Sequence, residues 1–265
     1  MQEERIVYKE VDGEELTVDV FRPKKTAAER RMPAIAFFHG GGWVFGSPSE
    51  FHGACRRYAE KGFVACSFQY RLSRHEDGTY PRSGVTPVES VKDARSALRW
   101  LRRSAGELGI DPTKIAAGGQ SAGGQLALST ALMDGINEET DPLDVSPAPN
   151  ALLLYASNVN TVEAWVDWLL GERRGEIWSI SPYHNLRPGM PPCIAFHGRD
   201  DGTVPLYVHE FFQRRTKELG NEHRLVLYEG RGHLLSPGNT CYAGYFDEEI
   251  MERTDEFLRE LGFME

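Results

Sequence analysis

The chain opens on two short segments, 4–9 and 14–21, joined by Val11-Asp12-Gly13. Both read as strands, and the Asp-Gly pair between them predicts a hairpin. From residue 33 the pattern changes. Apolar runs of five or six residues recur at 33–38, 63–68, 115–119, 151–156, 193–197 and 224–229. Amphipathic stretches near 50–61, 87–106, 122–133 and 206–219 separate them, and a last one covers 247–261. Near-continuous apolar strands alternating with helices predict an α/β fold. Its central sheet is mostly parallel and covered on both faces by helices, with the antiparallel hairpin at one edge.

Two segments break the alternation. Residues 72–86 (LSRHEDGTYPRSGVT) are polar and aperiodic, and 157–190 scatters Trp165, Trp168 and Trp178 among charges. Long irregular segments inside a domain usually carry function. The expectation is one domain over residues 1–265, with 72–86 and 157–190 as small lid or pocket segments.

Composition narrows the class. Of 265 residues, 40% are hydrophobic and 26% charged, ordinary globular usage that excludes disordered and fibrous classes. The net charge of −9 repels phosphate backbones and anionic membranes, so neither nucleic acid nor a membrane is expected as a partner. Cys55, Cys66, Cys193 and Cys241 show no paired spacing. Met1–Glu10 lacks the apolar stretch of a signal peptide, so a reduced, cytoplasmic setting is expected.

The strongest chemical signal is Gly119-Gln120-Ser121-Ala122-Gly123, between an apolar strand and a helix. This G-x-S-x-G pattern needs small flanking residues because the chain turns sharply there and lifts the serine hydroxyl out of the sheet. A phosphate-binding turn is the alternative. His39-Gly40-Gly41-Gly42-Trp43, after the strand at 33–38, favours acyl chemistry. Without side chains, backbone N–H groups can approach a developing oxyanion. His39 is expected to bond the loop backbone.

A serine nucleophile needs a base and an acid in the order Ser, Asp/Glu, His. His209 falls within a helix, and His223 precedes a strand, at the sheet edge opposite Ser121. His233 follows that strand and shares the carboxyl edge with Ser121, so it is the candidate base. Asp200 and Asp201 both follow the strand at 193–197, and position does not separate them. His52, His75, His184 and His197 form no metal-binding spacing, so no metal or organic cofactor is expected.

Taken together, HGGGW, Tyr70-Arg71-Leu72, GQSAGG, HGRDDGTVP and the late Gly-His resemble the hormone-sensitive-lipase-like esterases of the α/β-hydrolase superfamily. They are still more similar to bacterial feruloyl- and acetylxylan-esterase-like carboxylesterases. The resemblance spans roughly 15–262. It implies the α/β-hydrolase fold, Asp201 as the acid, and an oxyanion hole of the Gly41, Gly42 and Ala122 amides. Gln120 replaces the usual aspartate, Ser73-Arg74-His75 departs from the family pattern, and there is no long N-terminal helical cap. These departures favour the feruloyl- and acetyl-esterase-like group.

The expected reaction is hydrolysis of a small-molecule ester with a short acyl chain, the acetyl and feruloyl esters of carbohydrates being candidates. A kynurenine-formamidase-like amidohydrolase is the alternative, and a non-catalytic hydrolase-fold binding protein a more distant one. Trp43 is assigned to substrate binding, although it could instead pack beneath the glycine loop. Trp165 and Trp168, at i, i+3, either wall the alcohol side or form a helix's core stripe. Tyr80 and His75 either contact substrate or belong to a solvated loop. A homo-oligomer is expected by analogy.

Overall fold

The computed structural model describes residues 1–24, 31–236 and 247–265. Strands β1 (Gln2–Val11) and β2 (Glu14–Arg22) form the expected hairpin, with Val11 opposite Glu14. Asp12 and Gly13 both take positive φ, 53° and 78°, which matches the turn to the twist of its strands. β2 then pairs antiparallel with β4 (Val64–Phe68). The remaining strands are parallel: β3 (Met32–Phe38), β5 (Ile110–Gln120), β6 (Ala151–Tyr155), β7 (Cys193–Gly198) and β8 (His223–Tyr228). Eight strands make one sheet, in the order β1-β2-β4-β3-β5-β6-β7-β8.

The helices are α1 (His52–Glu60), α2 (Pro87–Arg103), α3 (Ala105–Leu108), α4 (Ala122–Leu132), α5 (Ala164–Leu170), α6 (Leu206–Glu218) and α7 (Glu248–Glu260). Successive residues of β3 supply the two faces of the sheet. Ala34, Ala36 and Phe38 join one buried cluster with residues of α2 and α4, and Ile35 and Phe37 join another with residues of α1 and α7. This is an α/β-hydrolase fold, as expected. The start of α2 is fixed by a capping box. The Thr86 hydroxyl accepts from the Val88 amide, Glu89 accepts from the Thr86 amide, and Pro87 sits first in the helix. No helix among the described residues is long and apolar enough to cross a membrane.

Two elements differ from the sequence expectation. β5 begins at Ile110, because Ile110 pairs with Met32 ahead of an irregularity in register. Residues 157–190 are not simply a loop. They contain α5 and a 3-10 segment over Gly171–Trp178, whose Val166, Leu169, Leu170 and Ile177 are buried. The core stripe of α5 is therefore Val166, Leu169 and Leu170. Trp165, Trp168 and Trp178 remain 36%, 47% and 54% exposed. Cys55, Cys66 and Cys193 are free and buried, and Cys241 lies outside the described residues.

Candidate active site

Ser121 stands between β5 and α4 with φ 53° and ψ −118°, a conformation rare for a residue bearing a side chain. The turn exists because its neighbours are glycine. A Cβ on Gly123 would overlap the carbonyl oxygens of Phe38 and His39, and one on Gly119 would lie 2.6 Å from Phe38 O. Hydrogen bonds pin the turn. The Ser121 amide donates to Tyr155 O at 3.0 Å, and Ser121 O accepts from the amides of Asn158 and Gln125 at 3.0 and 3.2 Å.

His233 Nε2 lies 2.9 Å from Ser121 Oγ, and His233 Nδ1 lies 2.9 Å from Asp201 Oδ2. A carboxylate only accepts, so Nδ1 carries the ring proton and Nε2 is left to accept from the serine hydroxyl. The other oxygen, Asp201 Oδ1, accepts the amides of Thr203 and Val204 at 2.8 and 2.9 Å. Burial alone would raise the Asp201 carboxyl. The hydrogen bonds from His233 and the backbone prevail and hold it below its usual value. Asp200, its neighbour, is exposed, and its amide donates to Arg231 O.

Behind Asp201 lie two further buried imidazoles. His197 Nε2 donates to Val204 O at 2.9 Å and sits 3.6 Å from Asp201 Oδ2, and the His209 ring packs 4.1 Å from that of His197. Burial lowers both pKa values and keeps both rings neutral. Asp201 thus lies between His233 on one side and two buried imidazoles on the other.

The glycine loop faces Ser121. His39 Nδ1 donates to Gly40 O at 2.8 Å, its ring stacks on Tyr70 at 4.3 Å, and the Tyr70 hydroxyl donates to His39 O at 2.9 Å. His39 therefore supports the loop, and burial depresses its pKa to about 4. Gly41 and Gly42 adopt positive φ, 107° and 59°. Among the described residues, no acceptor within the protein takes the amides of Gly41, Gly42 or Ala122. Ala122 opens α4, where unpaired N–H groups concentrate. Gln120 packs against Gly40, with its side-chain nitrogen 3.4 Å from His233 Nε2.

These groups surround a cleft of about 390 Å³ lined by Gly41, Gly42, Ser121, His233, Asn158 and Glu163, among others. Trp43 is among its lining residues. Its residue is 1% exposed and its indole N–H donates to Gln125 Oε1 at 3.1 Å. With φ at 63°, the backbone turns this side chain beneath the loop, so Trp43 forms part of the floor. Trp165, at the start of α5, lines the cleft and its indole N–H donates to Gly42 O at 3.1 Å. His75 lines a separate recess with His39 and Tyr70.

Asn158 and Glu163 were not singled out from the sequence, since both fall in the aperiodic segment 157–190. Asn158 donates through Nδ2 to Glu163 Oε1 at 2.5 Å. Although Glu163 as a residue is exposed, the cleft walls around its carboxyl raise its pKa, and the Asn158 hydrogen bond opposes them. Among the described residues, no group of three or more His, Cys, Asp or Glu is placed to hold a metal ion.

Comparison with known proteins places this geometry in context. The BD-FAE family model matches residues 18–169. Solved structures of Thermogutta terrifontis esterase 2, apo and butyrate-bound, are 38% and 36% identical, with TM-scores of 0.88 and 0.86. Each covers 99% of this chain, and this chain covers 96% and 95% of theirs. Esterase LipI of Mycobacterium tuberculosis is 30% identical over 77% of this chain and 72% of its own length. A probable isoprenylcysteine alpha-carbonyl methylesterase of Arabidopsis thaliana is 26% identical over 82% of this chain. The chain spans about half of that relative and of its rice counterpart, 48% and 54% of their lengths. By the family match, the fold and these relatives, the chain belongs to the BD-FAE family of α/β-hydrolases.

Proposed function

We propose that the chain is a serine carboxylesterase that hydrolyses short-chain acyl esters through an acyl-enzyme on Ser121. The observation that carries this reading is the His233 imidazole, 2.9 Å from both Ser121 Oγ and Asp201 Oδ2, opposite a loop with unengaged amides. In the first step, Nε2 of His233 takes the hydroxyl proton as Ser121 Oγ attacks the ester carbonyl. The carbonyl oxygen gains negative charge and is met by the amides of Gly41, Gly42 and Ala122, each donor contributing roughly 3–4 kcal/mol to the barrier reduction. Asp201 fixes the tautomer of His233 and stabilises its cationic form. The imidazolium then protonates the departing alcohol. Water, activated by the same Nε2, attacks the acyl-enzyme, and collapse releases the acid and regenerates Ser121.

The size of the cleft and the butyrate- and propionate-bound structures of the Thermogutta esterase support a short acyl group. Esters of carbohydrates with acetyl or feruloyl groups are the natural substrates in this reading. Two measurements test it. Ser121→Ala is expected to abolish hydrolysis of p-nitrophenyl acetate while leaving the thermal transition in place, and undiminished turnover would sink the assignment. Across acetyl, butyryl and longer p-nitrophenyl esters, kcat/KM is expected to fall as the chain lengthens.

A further inference from the structure

The two segments that break the strand–helix alternation meet beside the cleft, whose lining includes Trp165 and Phe45 of the group they form. Tyr80, from residues 72–86, packs edge-to-face on Trp165 and Trp168 of α5, with ring centroids 6.0 and 5.7 Å away. Trp165 and Trp168 lie 5.3 Å apart, and Phe45 of the glycine loop meets Tyr80 at 5.4 Å. All four rings keep more than a third of their surface in solvent. A soluble protein seldom leaves four large aromatics exposed in one group without a use for them. One already holds a cation: the Arg74 guanidinium lies 5.3 Å over the Phe45 ring. Tyr80, Trp165 and Trp168 are left to face whatever enters.

Glu163 stands two residues before Trp165 in the same wall of the cleft. Its Oε1 accepts from Asn158, whereas Oε2 has no partner among the described residues. A carboxylate oxygen with unused acceptor capacity, in one cleft lining with an aromatic ring, makes an environment that attracts positive charge and repels negative charge. The chain's net charge of −9 acts in the same direction. The alcohol must also leave toward solvent before water can attack the acyl-enzyme, and the solvent-exposed aromatic group is where a departing alcohol can be met.

We propose that Glu163 and Trp165 in the cleft wall, extended by Tyr80 and Trp168 packed on Trp165, select esters whose alcohol portion carries an ammonium or trialkylammonium group. This rests on the esterase reading and adds to it a class of leaving group. The bonds made and broken are those already described.

The test compares two thioesters of equal shape on the full chain, acetylthiocholine and its uncharged carbon isostere, 3,3-dimethylbutyl thioacetate. A third, S-acetyl-3-mercaptopropionate, carries a negative charge. The wild-type kcat/KM for the cation is expected to exceed that for the isostere by about tenfold, with the anion poorest. Glu163→Gln retains an acceptor for Asn158 but removes the charge, and is expected to bring the cation-to-neutral ratio toward one. Trp168→Ala, an exposed position, is expected to lower the ratio in part. Hydrolysis of the neutral thioester with no advantage to the cation overturns this inference alone, as does an unchanged ratio in Glu163→Gln. Failure to turn over any of the three overturns this inference, and failure on p-nitrophenyl acetate as well overturns the esterase reading with it.

Discussion

Consider replacing Asp201 with asparagine. The change preserves shape and leaves the buried surroundings intact, but it makes one of the two terminal atoms a donor. Oδ1 currently accepts two backbone amides, from Thr203 and Val204. An NH₂ group turned toward those amides would set donor against donor twice, so the oxygen must stay there and the NH₂ must face His233 Nδ1. That nitrogen can then only accept, which moves the ring proton to Nε2, the atom that has to accept from Ser121. The base is thus presented in the wrong tautomer, and the imidazolium loses its counter-charge. A loss in kcat of about 10⁴-fold is expected, equivalent to ~5.5 kcal/mol of barrier. Steady-state hydrolysis of p-nitrophenyl acetate at saturating substrate measures it, with circular dichroism and Tm as controls on folding. A fall of less than about tenfold in a fully folded variant would refute the argument, since it would show that His233 finds its working tautomer without Asp201.

Three further predictions concern stability. Gly123→Ala places a methyl group against the carbonyl oxygens of Phe38 and His39 and is expected to cost at least about 2 kcal/mol, lowering the urea midpoint. By contrast, Gly53→Ala in α1, which meets nothing within 4 Å, should add about 0.5–1 kcal/mol, so the pair separates close approach from helix propensity. Arg71→Met removes the bidentate guanidinium partner of Asp93, a fully buried carboxylate then left to Lys9 and to the backbone amide of residue 71. The expected loss is about 3–5 kcal/mol in chemical denaturation. Finally, burial depresses His39 and His223 to about 4, so the unfolded chain takes up their protons first on acidification. Stability is then whole above about pH 6.5 and is lost between there and about pH 4, by roughly 3 kcal/mol for each ring. Urea midpoints measured across that window should fall, and His223→Phe should flatten the slope; a midpoint insensitive to pH there would contradict the assignment.

How far the molecule could be read from its sequence depended on whether a feature was periodic or local. The parallel strands are continuous apolar runs, and Asp12-Gly13 is a two-residue turn signal, so the sheet and its hairpin edge were legible. Ser121 and His233 were legible as positions because each directly follows an apolar strand, which puts both at one edge of a parallel sheet. Adjacent aspartates defeat that argument. Asp200 and Asp201 share the strand end, and the turn through Thr203 and Val204 decides which one points inward. In α5, two stripes compete at helical spacing. Period three or four says that Trp165 and Trp168 share a face, but not that Val166, Leu169 and Leu170 take the core. For Trp43 both a pocket role and packing beneath the loop were open, and positive φ combines them, since Trp43 lines the cleft while its indole lies under the loop. The Lys9–Asp93–Arg71–Glu138 cluster joins charges up to 129 positions apart, and no local pattern announces such a pairing.

The parts of the cleft that were hardest to read bear on the parts that were easiest. The glycine loop is recognisable from five residues, but its geometry depends on partners far along the chain. Tyr70 holds the His39 carbonyl, Gln120 fills the space that a side chain at Gly40 would need, and Trp165 donates to Gly42 O. The last of these comes from the aperiodic segment that also supplies Glu163 and Trp168. One helix start therefore touches both the loop that faces the reacting oxygen and the shelf where a leaving group would rest. Gly41 O accepts from the amides of Val44 and Phe45 at 3.1 and 2.9 Å, which orients the peptide that carries the Gly42 N–H, and an amide already oriented costs no reorganisation when charge develops. Glycine provides the freedom to reach that geometry, and these bonds, with the indole bond to the next carbonyl, Gly42 O, remove the freedom to leave it. In the proposed reaction recognition and chemistry thus share a residue, so changes to α5 that alter the choice of alcohol are expected to reach kcat as well.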